Sequence, residues 1–243
     1  MSSLSIPRRL AKLLYNSTLQ LAGRDPITYR PVVRRKDLRR LGTPYGGWSI
    51  PAGALSARSV CYCAGCGEDI SFDLALIDQF HCDVFAFDPT PRAIQYVKAN
   101  TGGNSHYHFN ELGLWDKKAI LKFFAPSNPQ HVSHSLLNLQ HTADYIEVPV
   151  ERLSTIMRAN QHEQLDLLKI DIEGAEYKVL DSVLADGLKI RVLCVEFDEY
   201  WHPLDSDYVK RIRSYVQRLL SFGYVIVDAP GNGNYTFLRD CLS

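Results

Sequence analysis

From about Arg58 onward, apolar runs of strand length alternate with helical patterns, which predicts a parallel sheet covered by helices on both faces. SVCYCAG (Ser59 to Gly65) reads as the first strand, and the segment from about Asp69 to Phe80 as a helix. DVFAFD (Asp83 to Asp88) is the second strand, followed by a helix from Pro91 to about Asn100. A third strand covers roughly Ser105 to Phe109. The fourth, LDLLKID from Leu165, and the fifth, RVLCVEFD (Arg191 to Asp198), are near-continuous apolar runs, as strands buried on both faces should be. In the next helix Tyr208, Ile212, Tyr215, Val216, Leu219 and Leu220 share one face, with Lys210, Arg211, Arg213 and Arg218 mostly off it. Gly223 stops that helix, and YVIVDA (Tyr224 to Ala229) predicts a sixth strand. The tight link Pro230 to Gly233 then leads into a last strand, Tyr235 to Leu238. So short a link suits an antiparallel return, because a parallel crossover needs about a dozen residues.

Two stretches break this rhythm. Between the third and fourth strands an insertion runs from Leu114 to Asn160, in which ILKFFAP and IEVPVERL read as added strands around a polar, His-containing segment. Long segments of this kind in compact domains are usually lids or binding loops. The first 57 residues form an extension: Ile6 to Ala22 has the spacing of an amphipathic helix, and RPVVRRKDLRR (Arg30 to Arg40) carries six basic residues and one acidic. Read plainly it is a solvated basic arm; the sharper reading is a dock for a phosphorylated or acidic substrate. The domain proper is therefore expected over residues 58–243.

Composition narrows the function classes. Lysine plus arginine and aspartate plus glutamate both number 27, so the formal charge is zero and no general pull toward nucleic acid or anionic membrane is expected. No apolar run is long enough to span a membrane, and the N-terminus does not read as a secretory signal. Most of the six cysteines fall inside predicted strands, and this together with the missing signal favours the cytoplasm. Cys61, Cys63 and Cys66 lack a second ligand pair at metal-site spacing, so no metal centre is expected there.

The candidate chemistry lies at the carboxyl ends of the predicted strands, where open α/β sheets bind ligands. Gly65-Cys66-Gly67 follows the first strand and opens a helix, and glycines there let backbone approach a ligand. Asp88 ends the second strand about 20 residues on, where a carboxylate can accept both ribose hydroxyls. Dinucleotide sites want a third glycine, but that position is Ile70, and Glu68 and Asp69 in the turn would repel a pyrophosphate. The same two acids can accept hydrogen bonds from the amino group of S-adenosylmethionine, so the sign of the charge favours that cofactor over NAD or ATP. LKIDIEGAEYKVL (Leu168 to Leu180) releases Asp171 and Glu173 from the end of the fourth strand; the other reading of Asp171 is that it caps the next helix.

GCGEDISFD (Gly65 to Asp73), FAFDPTP (Phe85 to Pro91), GLWD (Gly113 to Asp116), LLKIDIEGAEYKVL and VEFDE (Val195 to Glu199) together resemble the FkbM-type methyltransferases from about Arg58 to the C-terminus. The resemblance implies a class I methyltransferase fold, a Rossmann-like seven-stranded, mostly parallel sheet with the last strand antiparallel and helices on both faces. It implies S-adenosylmethionine as cofactor, with Gly65, Cys66, Gly67, Glu68 and Asp69 at its methionine end and Asp88 and Pro89 at the ribose. Gly113 and Leu114 would lie near the adenine, and Asp171 and Glu173 would border the methyl-transfer space. One departure stands out: many such enzymes carry an acid within the first strand, where this chain has Tyr62 or Cys63.

O-methylation of a sugar or secondary-metabolite hydroxyl is the activity the resemblance points to, with N-methylation left open. Glu173 is the first choice for general base, His134 on the insertion the second, and Glu196 and His202 lie in reach of the same region. Asp171 and Glu173 could instead hold a divalent cation, although a third ligand is not obvious. The expected partner is a small-molecule or carbohydrate acceptor, with no nucleic acid and no membrane span, and a homo-oligomer remains open. The competing reading is a methyltransferase-fold scaffold without turnover.

Overall fold

The computed structural model describes residues 6–125 and 142–239. His134 and Cys241 lie outside the described residues. The chain opens with helix α1 (Ile6–Leu21) and a hairpin of β1 (Leu38–Leu41) and β2 (Trp48–Pro51). The alternating part follows as β3 (Val60–Ala64), α2 (Ser71–Phe80), β4 (Asp83–Phe87), α3 (Pro91–Asn100) and β5 (Tyr107–Asn110). Next come β6 (Gly113–Trp115), β7 (Ala119–Phe124), β8 (Tyr145–Arg152) and α4 (Leu153–Ala159). The chain then forms β9 (Gln164–Ile170), α5 (Glu176–Ala185), β10 (Lys189–Glu196), α6 (Tyr208–Ser221), β11 (Val225–Asp228) and β12 (Asn234–Leu238).

Seven of these strands form one mixed sheet in the order β11-β12-β10-β9-β3-β4-β5. β12 runs antiparallel to both of its neighbours, and the pairs among β10, β9, β3, β4 and β5 are parallel. Alternation along β3 shows how the sheet divides the core: Tyr62 and Ala64 face α4, α5 and α6, whereas Cys61 and Cys63 face α2 and α3. Side chains at period two must point to opposite faces, so a strand buried on both sides is apolar throughout. On α6 the predicted face is the one that packs: Ile212, Val216 and Leu219 are buried, each worth about 1.5–3 kcal/mol of hydrophobic stabilisation.

The insertion differs from its expected shape. Gly113–Trp115 pairs with β8, so β6, β8 and β7 form a separate three-stranded sheet with its own small core of Phe123, Val148 and Val150. β8 ends at Arg152, and Leu153, Ile156 and Met157 then form a helix that packs into the main core. That i, i+3, i+4 signal is only seven residues long, too short to stand out beside the strand before it.

The composition break near residue 58 is not a break in packing. The segment read as a basic arm contains β1, and Leu41, Trp48, Ile50, Ala54 and Leu55 are buried in the core on the α2 side of the sheet. Arg39 and Arg40, at the centre of β1, stay exposed and masked the strand signal. α1 makes a lighter contact, with Gln20 Nε2 donating to the carbonyl of Pro230 at 2.5 Å while Leu10, Leu14 and Leu21 are exposed. Among the described residues no helix is long and apolar enough to cross a membrane.

Ile50 is fully buried although it lies outside the alternating part of the chain. Ile50→Ala is expected to cost about 2–5 kcal/mol, as core truncations do, with Leu21→Ala near neutral. Denaturant unfolding of both variants measures this; a near-neutral Ile50→Ala would show that the hairpin is an independent appendage.

Candidate active site

The connectivity of the sheet reverses between β3 and β9: β4 and β5 continue to one side of β3, and β10 lies on the other side of β9. Such a switch point opens a crevice at the carboxyl ends of the two strands. Here that crevice is a cavity of about 510 Å³, and the turns after β3, β4, β9 and β10 all contribute to its lining.

The two central turns touch. Gly65 has φ +85°, and a Cβ there would lie 1.7 Å from the carbonyl oxygen of Asp171, so residue 65 can only be glycine. The amide of Gly65 donates to the carbonyl of Phe87 at 3.0 Å, and that of Asp171 to Ala64 at 3.2 Å. Beneath the contact sits Lys169, an ammonium buried within the sheet. It donates to the Gly65 carbonyl at 2.7 Å and pairs with Asp171 Oδ2 at 3.2 Å. Burial alone would lower the lysine's pKa, but the Asp171 and Asp73 carboxylates outweigh it and hold the pKa raised. Lys169 was not among the expected site residues, though a lysine inside an otherwise apolar central strand is a visible anomaly.

Asp88 is buried at the end of β4, and all four of its acceptor positions are filled. Oδ2 accepts the amides of Cys66 and Gly67, both at 3.0 Å, and Oδ1 accepts the Thr90 amide at 2.9 Å and hydroxyl at 2.6 Å. In this geometry Asp88 clamps the glycine turn rather than standing open. The neighbouring acids are engaged too: Glu68 pairs with Arg92 at 2.8 Å, and Asp69 accepts from the Thr43 hydroxyl and, at 2.9 Å, from the Ser71 amide. The Thr43 contact lies beside Pro44, Tyr45 and Gly46, which form part of the cavity wall from upstream of residue 58. Pro89, Gly113 and Leu114 line the cavity, joined by Phe123 and Thr90.

Asp171 does not cap the following helix. That helix starts at Glu176, and its N-terminal flanking residue, Ala175, makes no side-chain cap. The turn is held instead by Glu176, which is buried and accepts the Gly174 amide at 2.9 and 3.1 Å. Glu173 takes a left-handed conformation, φ +53°, which is costly for a residue with a Cβ. Opposite it stand Glu196 at the end of β10 and Asp198 just beyond, with Trp201, His202, Asn232 and Asn234 at the same end of the cavity. Burial raises the pKa of both acids, and the Asp171 carboxylate beside Glu196 and the Glu173 carboxylate beside Asp198 raise it further.

Tyr62 and Cys63, which replace the acid expected in the first strand, do not reach the cavity. The Tyr62 hydroxyl bonds Asn160 at 2.7 Å and His162 at 2.9 Å on the other face of the sheet, and Cys63 is buried beneath α2. The described cysteines are buried free thiols, and no group of three potential metal ligands is arranged to hold an ion among the described residues.

A family model described as the methyltransferase FkbM domain matches residues 65–226, two thirds of the chain. No curated protein matches this chain. Among solved structures the chain is similar to a crystal structure of methyltransferase FkbM from Methylobacillus flagellatus KT, at 13% identity and TM-score 0.48, over 75% of this chain and 44% of that one. The chain thus spans less than half the length of that protein. It is also similar to Aeropyrum pernix fibrillarin in complex with natively bound S-adenosyl-L-methionine (10% identity, TM-score 0.42, 88% and 86% covered). A third similarity is to M. jannaschii TYW2 in complex with AdoMet (13% identity, TM-score 0.33, 86% and 90% covered).

The acids of the cavity set a pH dependence. Burial, reinforced by nearby carboxylates, pushes Glu196 up to about 9 and Asp198 up to about 10, and burial pushes Glu176 up to about 8 despite the Gly174 hydrogen bond. A raised folded-state pKa means that stability is fully present below the unfolded value, near 4, and is lost as pH rises through the folded one. The ligand-free protein should therefore melt at progressively lower temperature from about pH 5 to pH 9. Each such group removes up to about 1.4 kcal/mol per pH unit in that window. Thermal melts of the wild type and of Glu196→Gln check this: the variant should show a shallower slope, and an equal slope would take Glu196 out of the effect.

Proposed function

Because the chain belongs to the FkbM methyltransferase family, we propose that it uses S-adenosylmethionine to methylate a hydroxyl on a sugar or secondary metabolite. The observation that carries the cofactor reading is the pair of touching turns, Gly65 against Asp171, at the mouth of the sheet. They bring backbone and carboxylates together where an amino-acid-bearing nucleoside needs both, in a cavity of the size that holds ligands of that class. Gly65, Cys66 and Gly67 would meet the methionine end, with Asp171 beside them. Gly113, Leu114 and Phe123 would flank the adenine. A ribose hydroxyl reaches Asp88 by taking the place of the Thr90 hydroxyl, a like-for-like exchange that leaves the clamp on the glycine turn intact.

When bound, S-adenosylmethionine supplies a methyl group already activated by its sulfonium. The protein's work is then alignment of the acceptor and removal of one proton. Glu173 is placed for that removal. It lines the cavity with Asp171 and Asp198, and its left-handed backbone holds it in the turn after β9. His202 lines the same end and is the alternative base.

Glu173→Gln should keep S-adenosylhomocysteine binding within about twofold and lower methyl transfer by about 10²–10⁴-fold, the usual contribution of a general base. Calorimetry and a labelled-methyl assay measure the two separately; unchanged turnover removes Glu173 from the mechanism. In a thermal-shift series S-adenosylhomocysteine should stabilise the protein and NAD should not, and stabilisation by neither would favour the scaffold.

A further inference from the structure

The end of the cavity beneath β10 holds more acid than the cofactor reading uses. Asp171, Glu173, Glu196 and Asp198 converge there, and Lys169, already bound to Gly65 and Asp171, is the one lysine or arginine in the lining among the described residues. Burial raises the pKa of Glu196 and of Asp198, and the Asp171 and Glu173 carboxylates beside them raise it further, so a positive charge at this end of the cavity would be stabilised.

A second observation shows what is missing. Asp198 is only 6% exposed, and its Oδ2 is buried without any hydrogen-bond partner. Asn234 Oδ1 is in the same condition, on the strand residue that faces Glu196 across the β10–β12 register. Both residues line the cavity. Buried polar atoms are nearly always satisfied, and two lone acceptors on one cavity call for a ligand that donates. Two aromatic side chains at the same end, Tyr45 and Trp201, are 87% and 56% exposed. Ring faces beside carboxylates are the chemistry that recognises an ammonium group.

We propose that this end of the cavity is a subsite for a protonated amine carried by the methyl acceptor, which makes the acceptor an amino-substituted polyol such as an amino sugar. Asp198 Oδ2 and Asn234 Oδ1 accept its N–H bonds, Glu196 supplies counter-charge, and Trp201 and Tyr45 cover it. Glu196 and Asp198 stand beside the like charges of Asp171 and Glu173 in the cavity lining, and an ammonium next to them relieves that repulsion. An ammonium has no lone pair with which to attack a methyl group. The anchored amine is therefore not the methylated atom, and a hydroxyl near Glu173 is. This inference rests on reading the cavity as the methyl-transfer site.

The test uses the full chain saturated with S-adenosylhomocysteine, whose binding is measured first and decides the cofactor reading by itself. D-glucosamine, D-glucose and D-glucuronate are then titrated by calorimetry or ligand-observed NMR. Glucosamine should bind at least about tenfold tighter than glucose, equivalent to about 1.4 kcal/mol, and glucuronate weakest of the three. Asp198→Asn, which removes no volume, should erase that preference and leave S-adenosylhomocysteine affinity within about twofold. Trp201→Ala, at an exposed position that folding does not depend on, should reduce it. Equal binding of glucose and glucosamine, or no binding of glucosamine, overturns the proposal. So does an Asp198→Asn variant that weakens S-adenosylhomocysteine as much as the sugar, because the lone acceptor would then belong to the cofactor.

Discussion

The approach of the Asp171 carbonyl to Gly65 is the constraint on which the site depends. Two parallel strands can end side by side without their following turns meeting, but here the turns touch so closely that no Cβ fits between them. Lys169 makes the contact tolerable by drawing the Gly65 carbonyl and the Asp171 carboxylate to one ammonium. A buried charge costs several kcal/mol unless it is well bonded, and Lys169 is bonded on both sides. Asp88 does the matching work from β4, holding the amides of Cys66 and Gly67. The glycine turn is thus fastened from three adjacent strands, β3, β4 and β9, before any ligand arrives.

The cavity walls divide by charge. The side formed by Gly113, Leu114 and Phe123 is apolar and suits a flat heterocycle, whereas the side formed by the ends of β9 and β10 is dense in carboxyls. Unlike the acids of the glycine turn, which are satisfied by Thr43, Ser71, Arg92 and backbone amides, those of β10 retain an unfilled acceptor at Asp198. The two groups of acids therefore do different jobs. The first shapes a turn, and the second is kept for something that is not part of the chain.

Most of the sheet was legible because buried parallel strands write themselves as unbroken apolar runs, and the helices between them carry a clear period. Gly65, Asp88, Asp171 and Glu173 were legible as well, since strand ends followed by glycine or acid mark a crevice. Three things were hidden for physical reasons. β1 carries two exposed arginines at its centre, so its pattern resembled a solvated arm. α4 is too short for its period to register. The partners of Asp88, Glu68 and Asp69 come from Thr90, Arg92 and Thr43, and for Thr43 sequence distance carries no information about a contact made across the fold.

The wall contributed by Thr43 to Gly46 lies upstream of the span that matches the family, yet it is tied to Asp69 and anchored by Ile50 in the shared core. The floor of the cavity and the rim above it are therefore encoded in separate stretches, joined through a few short-range bonds. Those bonds couple the two: a Cβ at residue 46 would lie 2.7 Å from Asp69 Oδ2, so a change in the rim is felt in the glycine turn below. The width of this mouth is set by two distant pieces of chain that can vary only together.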